Sequence, residues 1–255
     1  MDEQASTRGR RRLDARRRRE RAERILDAAT SLAERWGFDK TTMEDIAREA
    51  GVAKGTIYHH WSSREDLFIC VLLREWLQMV EELQAQVQDD PEGLTLHGLV
   101  KYSVLATVRR PLPRALLLTD SRTLGSIARH EYLREGSLMR RRMDFLRDLL
   151  VFLREEGMVR TDLSLEDVLH TLGAICIGFM TVEHFWPEGV TIPLERQCDL
   201  LAEATRRTLE TGRQPTPEHR QRLSRFLEER LGQMVTMVRA YLQQHLEEVD
   251  DGSAD

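Results

Sequence analysis

Residues 41–61, TTMEDIAREAGVAKGTIYHHW, leave the chain few ways to fold. Thr42 can cap a helix, with Asp45 three residues on as a near-capping-box partner, and Ile46, Ala47 and Ala50 then share one inward face. Gly51 supplies a tight turn, Val52 plugs beneath it, and a second short helix follows over about Ala53 to His60. Ile57 is the main apolar anchor of that helix, so Lys54, Gly55, Thr56, Tyr58 and His59 face outward. Two short helices across a glycine turn make a helix-turn-helix, whose second helix suits a DNA major groove. Thr56 and Tyr58 can bond phosphates or bases, Lys54 adds a cation, and Gly55 lets the backbone come close.

Around this motif the pattern is helical nearly throughout, without strand-like alternation. Apolar residues Ile25, Leu26, Ala29, Leu32, Ala33 and Trp36 recur at helical spacing and predict a helix over about Arg17 to Trp36, ended by Gly37. Trp61 is expected to pack back on it. Ser63 caps a long helix, with Asp66 at its third position, running to about Val87. Charge is uneven: the chain holds 38 basic and 43 acidic residues, yet residues 8–24 alone carry ten arginines against Asp14, Glu20 and Glu23. A basic end on an acidic body points to a polyanion met at one end. For the arginines themselves two readings stand side by side, an arm that follows the DNA backbone or enters the minor groove, and a solvated tail that raises only nonspecific affinity.

The run T-T-x-x-x-I-A-x-x-A-G-V-x-K-G-T-I-Y-H-H-W, followed by S-x-R-E-D-L-F from Ser62 to Phe68, resembles the DNA-binding domain of TetR-family transcriptional regulators over about residues 20–70. The resemblance implies that Thr42 and its helix N-terminus hold a phosphate. It also implies that Lys54, Thr56, Tyr58 and His59 occupy recognition-helix positions, that His60 is a backbone contact or packing residue, and that Arg64 meets the phosphate backbone. Glu44 departs from the pattern, because some relatives place a base-reading arginine there. The implied protein is a homodimeric repressor on a palindromic operator in double-stranded DNA, released by an effector; the lack of an apolar signal-peptide segment points to a cytoplasmic location, and the sparse aromatics to a small apolar effector or none. The alternative is a helical interaction module that has lost sequence-specific reading.

The expected architecture is all-α. An arginine-rich arm (1–18) precedes a three-helix DNA-binding domain (19–79, motif 42–61), a larger helical ligand-binding and dimerisation domain (80–212), a linker and additional helix (213–249) and an acidic tail (250–255). Within the larger domain, helices are predicted over about 94–109, 114–119 and 129–156. In the last of these, Arg140, Arg141 and Arg142 are read as facing solvent, opposite Met139, Met143, Leu146, Leu149, Leu150 and Leu153. Ser164 caps a helix that is apolar on nearly every side from Thr171 to Val182, so a partner surface is needed. With a following helix over about 193–210 it is expected to form a four-helix homodimer interface using Leu172, Ile175, Phe179 and Leu201. The family resemblance places a cavity among the helices of this domain, with Trp76, Met79, Tyr102, Leu105, Phe145 and Phe179 as candidate lining groups.

Enzyme chemistry finds no support. No G-x-S-x-G, P-loop or dinucleotide fingerprint occurs, and His97, His130, His170 and His184 stand singly without metal-ligand spacing. Neither a catalytic residue nor a metal or cofactor site is assigned. No membrane-spanning stretch is found, and Cys70, Cys176 and Cys198 read as buried, reduced thiols.

Overall fold

In a computed structural model of the chain, residues 2–90, 92–118, 120–129, 137–187 and 189–247 are described. His130 and the acidic tail 250–255 lie outside them, as do the side chains of residues 1–12, Met139 and His184. The elements are α1 (Asp2–Trp36), α2 (Met43–Ala50), α3 (Lys54–Tyr58), α4 (Arg64–Asp89), α5 (Leu96–Val108), α6 (Pro111–Leu118), α7 (Ser121–Leu124), α8 (Ser137–Glu155), α9 (Leu165–Thr181), α10 (Leu194–Leu209) and α11 (Pro217–Glu247). Short 3-10 turns follow α7 and α9. No strand occurs among the described residues, where β pairing is limited to one antiparallel bridge between Val159 and Glu210.

Local chemistry explains most boundaries. Thr42 accepts from the Asp45 amide while the Asp45 carboxylate accepts from the Thr42 amide, a complete capping box, and Ser164 with Asp167 repeats it at the start of α9. Gly51 closes α2 in the left-handed region at φ 66°, as the turn requires. Pro111 stands at the first position of α6, where a missing N–H costs nothing. One expectation differs. Helix α1 begins at Asp2 rather than near Arg17, because arginine, alanine and glutamate all favour helix and Arg16 pairs with Glu20 one turn on, at 2.8 Å. Of the helix expected over 129–156, the part from Ser137 to Glu155 is described and is α8; 130–136 lie outside the described residues, and α7 and a 3-10 turn precede them.

Two apolar cores form. The first gathers α1 to α3 and the start of α4 around Ile25, Leu32, Ile46, Ile57, Trp61 and Leu67, so Trp61 does pack into the same core as α1. The second lies among α4, α5, α8, α9 and α10, around Val100, Leu150, Val168, Leu201 and Leu209. Helix α11 serves both: Leu223, Leu227 and Leu231 enter the second core, and Val238, Leu242 and Leu246 the first. Ion pairs fix it along its length, Arg222 to Glu156 at the end of α8 (2.6 and 2.8 Å) and Arg239 to Glu81 on α4 (2.9 Å).

A further junction holds α7 and the turn after it against the loop that follows α1. The Phe38 amide donates to the Thr123 carbonyl at 2.9 Å, and the Asp39 carboxylate accepts from both the amide and hydroxyl of Ser126. The approach is so close that a Cβ on Gly37 would come within 2.7 Å of the Arg122 carbonyl oxygen.

Candidate nucleic-acid interface and ligand cavity

Helix α3 is held by Ile57, which has no exposed surface, while Tyr58 keeps 47% of its own. Lys54, Gly55 and His59 are exposed and Thr56 is half-buried, so the outward group read from the sequence shares one accessible surface. A Cβ on Gly55 would meet nothing within 4 Å, so the backbone there is open to close approach. Lys54 pairs with Glu44 at the start of α2 and sits 5.8 Å from the Tyr58 ring centre, within cation–π range. The Glu44 carboxylate raises the Lys54 pKa, chiefly through that hydrogen bond. Glu44 thus holds the Lys54 ammonium beside the start of α2.

At the start of α2 the Thr42 hydroxyl donates to the Asp45 carboxylate at 2.6 Å, and Arg48 pairs with the same carboxylate. The Thr42 hydrogen bond and then the Arg48 cation hold the Asp45 pKa low. The hydroxyl therefore spends its proton on the cap, and the helix N-terminus keeps its positive end outward. Arg64 lies 4.2 Å from the Phe38 ring centre and donates to the Thr41 carbonyl at 3.3 Å. It braces the loop that delivers Thr42. His60 is a correction to the DNA-facing set: only 8% of it is exposed, and it packs against Trp61 with ring centres 5.3 Å apart. Burial lowers its pKa, so it is a neutral packing group near the end of α11.

The second core is hollow. A cavity of about 320 Å³ is walled by α4, α5, α8, α9 and α11, and a neighbouring one of about 160 Å³ shares part of its lining. Of the expected lining groups, Phe145 borders both, Trp76 and Met79 the smaller, and Phe179 a third cavity of about 150 Å³ beside α10. Tyr102 and Leu105 do not line any of the three. Tyr102 donates to Asp90 instead, which together with burial raises its pKa, and Leu105 is core.

Two lining features escaped sequence reasoning. Leu227 and Leu231 of α11 close the main cavity. Arg142, expected in solvent with Arg140 and Arg141, is partly buried and lines both cavities, while its two neighbours are exposed. The signal was present, since Arg142, Leu146, Leu149 and Leu153 fall at i, i+4, i+7 and i+11, one stripe of a helix.

A second surface is exposed and apolar. Ile177, Val182, Phe185 and Trp186 at the end of α9, with Val190, Ile192 and Leu200 around α10, stay open, and Phe185 keeps 81% of its surface. The expected interface set is divided by this geometry. Leu201 (0% exposed) and Leu172 (5%) face the chain's own core, and Ile175 and Phe179 are half-buried.

Among the described residues no cluster of His, Cys, Asp and Glu could hold a metal, and no helix is long and apolar enough to cross a membrane. Burial pushes the Cys70 thiol up to about 12 and those of Cys176 and Cys198 to about 11, so all three are unreactive thiols at neutral pH.

Residues 25–71 match the family described as bacterial regulatory proteins, tetR family. The transcriptional repressor KstR2 of Mycobacterium tuberculosis is 30% identical over 148 residues, 57% of this chain and 72% of that protein. The repressor KstR of Rhodococcus jostii is 31% identical over 119 residues, 47% of this chain and 53% of the relative, so that match spans about half the relative's length. Among solved structures, a TetR-family protein from Vibrio parahaemolyticus superposes with a TM-score of 0.52 at 24% identity, over 75% of this chain and 99% of that one. With the helix-turn-helix in place at one end and an all-helical body behind it, the chain belongs to the tetR family of bacterial regulatory proteins.

Proposed function

We propose that the protein is a homodimeric transcriptional repressor, gripping a palindromic operator through α3 of each protomer and letting go when a small, largely apolar molecule fills the cavity. In this reading residues 19–79 hold DNA and 80–212 hold the effector and the second protomer. The observation that carries it is the exposed set Lys54, Gly55, Tyr58 and His59 on a short helix anchored from behind by Ile57. Its size and exposure suit a major groove, and two such helices on a two-fold axis suit half-sites about 34–36 Å apart or a multiple of that. The KstR and KstR2 relatives are repressors, which supports that sign of regulation.

The open patch on α9 and α10 is the surface we assign to the second protomer. Exposed aromatics on that scale are unusual on a monomer. Release requires an effector that binds the DNA-incompetent arrangement more tightly than the competent one. The test is selection of bound duplexes from a random DNA pool with the purified protein at near-physiological salt. Enrichment of one palindrome is expected. Binding without enrichment would overturn the reading in favour of a helical interaction module that no longer reads sequence.

A further inference from the structure

The cavity wall is apolar except for a few groups, and one of them is out of place. Arg142 brings a guanidinium, charged at any physiological pH, to a lining built from leucine, valine, methionine and phenylalanine. No carboxylate lines either cavity that Arg142 borders among the described residues, and no ion pair or hydrogen bond engages it there. The ionisable group that acts on it is Cys176, whose thiol burial keeps protonated and therefore neutral. A cation withdrawn from water without a counter-charge is costly, and an arriving anion would remove that cost.

Other polar groups on the wall sharpen the chemistry. Thr107 spends its hydroxyl on the Ser103 carbonyl at 2.8 Å. Ser103 borders both cavities, as Arg142 does. A planar fork and a hydroxyl donor where two apolar chambers adjoin fit a carboxylate attached to an apolar body better than a neutral molecule of the same shape.

We propose that the ligand of this cavity is a carboxylate with an apolar body, its acid group held by Arg142 with Ser103 as a second donor and its hydrocarbon lying in the apolar chambers. This rests on the cavity being the effector site and refines the apolar effector expected from the sequence into an amphipathic acid.

The experiment compares dodecanoate with dodecanol, equal in chain length and different in charge, by calorimetric titration of the full chain below micelle-forming concentrations and without DNA. Wild type is expected to bind dodecanoate at least about tenfold more tightly than dodecanol, the scale of one charge-assisted contact. R142M should lose that preference while keeping its dodecanol affinity, R142K should retain part of it, and S103A should weaken dodecanoate less than R142M does. Circular dichroism establishes that each variant is folded, and R142K supplies the decision if R142M is not. Equal affinity for the two probes in wild type, binding of neither, or a preference that survives in R142M would each overturn the proposal. Because DNA is absent, the outcome is separate from the repressor reading. A protein that binds dodecanoate yet selects no duplex would sink that reading and leave this one standing.

Discussion

The two cores of this chain are finished differently. Around α3 the packing is closed, with Ile25, Ile46, Ile57, Trp61 and Leu67 all essentially without exposed surface. The core behind it encloses cavities of about 320 and 160 Å³ in a wall of equally apolar residues. Composition does not separate them; the use of space does. A helix that must meet bases in register gains from a support with no slack, whereas a site for an incoming molecule has to forgo contacts that a filled interior would make.

The comparison breaks first if truncation costs the same in both cores. Trp61→Ala should destabilise by about 3–5 kcal/mol, because a tightly packed surround relaxes little around the hole. Leu146→Ala, at the cavity wall, should cost clearly less. Urea unfolding of the two variants measures both, and equal losses would mean that the second core is no looser than the first.

Next in size is a charge at the far end of α11. Leu242→Asp puts a carboxylate against the first core and should cost about 3 kcal/mol. If α11 ties the cores together, thermal unfolding of this variant should separate into two steps by calorimetry, the first core melting earlier. One sharp transition at an unchanged temperature would remove α11 from the account.

Function should then part from stability on the outward face of α3. Tyr58→Ala should weaken operator binding by about 1–3 kcal/mol while leaving the melting temperature in place, since Tyr58 is half exposed. Unaltered operator affinity would remove Tyr58 from the contact set.

The smallest effect concerns pH. The His97 imidazole lies 3.0 Å from the Glu210 carboxylate, which also accepts from the His97 amide at 2.9 Å. Burial pulls the His97 pKa down, but the Glu210 hydrogen bond and charge outweigh it, and the net shift is upward. A raised histidine pKa stabilises the fold fully below the unfolded value of about 6.5 and loses that contribution as pH climbs through the folded value. The deficit of His97→Gln against wild type should therefore be largest near pH 5.5, no more than about 1 kcal/mol, and should shrink by pH 9. A deficit that grew toward pH 9 would reverse the assignment.

How far the sequence could be read follows the same division. Caps and turns are local, so Thr42 with Asp45, Ser63, Ser164 with Asp167, and Gly51 were legible, and with them the exposed face of α3. Which way a side chain turns inside a bundle depends on neighbours distant in sequence. His60 sits one residue beyond the exposed run and is buried by packing that involves α11. Leu172 and Leu201 belong to apolar stripes whose inner and outer halves look alike in sequence, and only assembly shows that Ile177, Phe185 and Trp186 form the outer half. Arg142 was legible in part: its spacing put it on the apolar stripe, but its charge argued for solvent, and the cavity decides between them.

Helix α11 carries one further consequence. Along 31 residues, about 46 Å of helix, it places Leu231 in the cavity wall and Leu246 in the first core. A loop between those points would absorb a displacement in its own flexibility, whereas a continuous hydrogen-bonded helix behaves as a push-rod. An axial shift imposed at Leu231 would arrive at Leu246 with little lost, beside the packing that sets the attitude of α3.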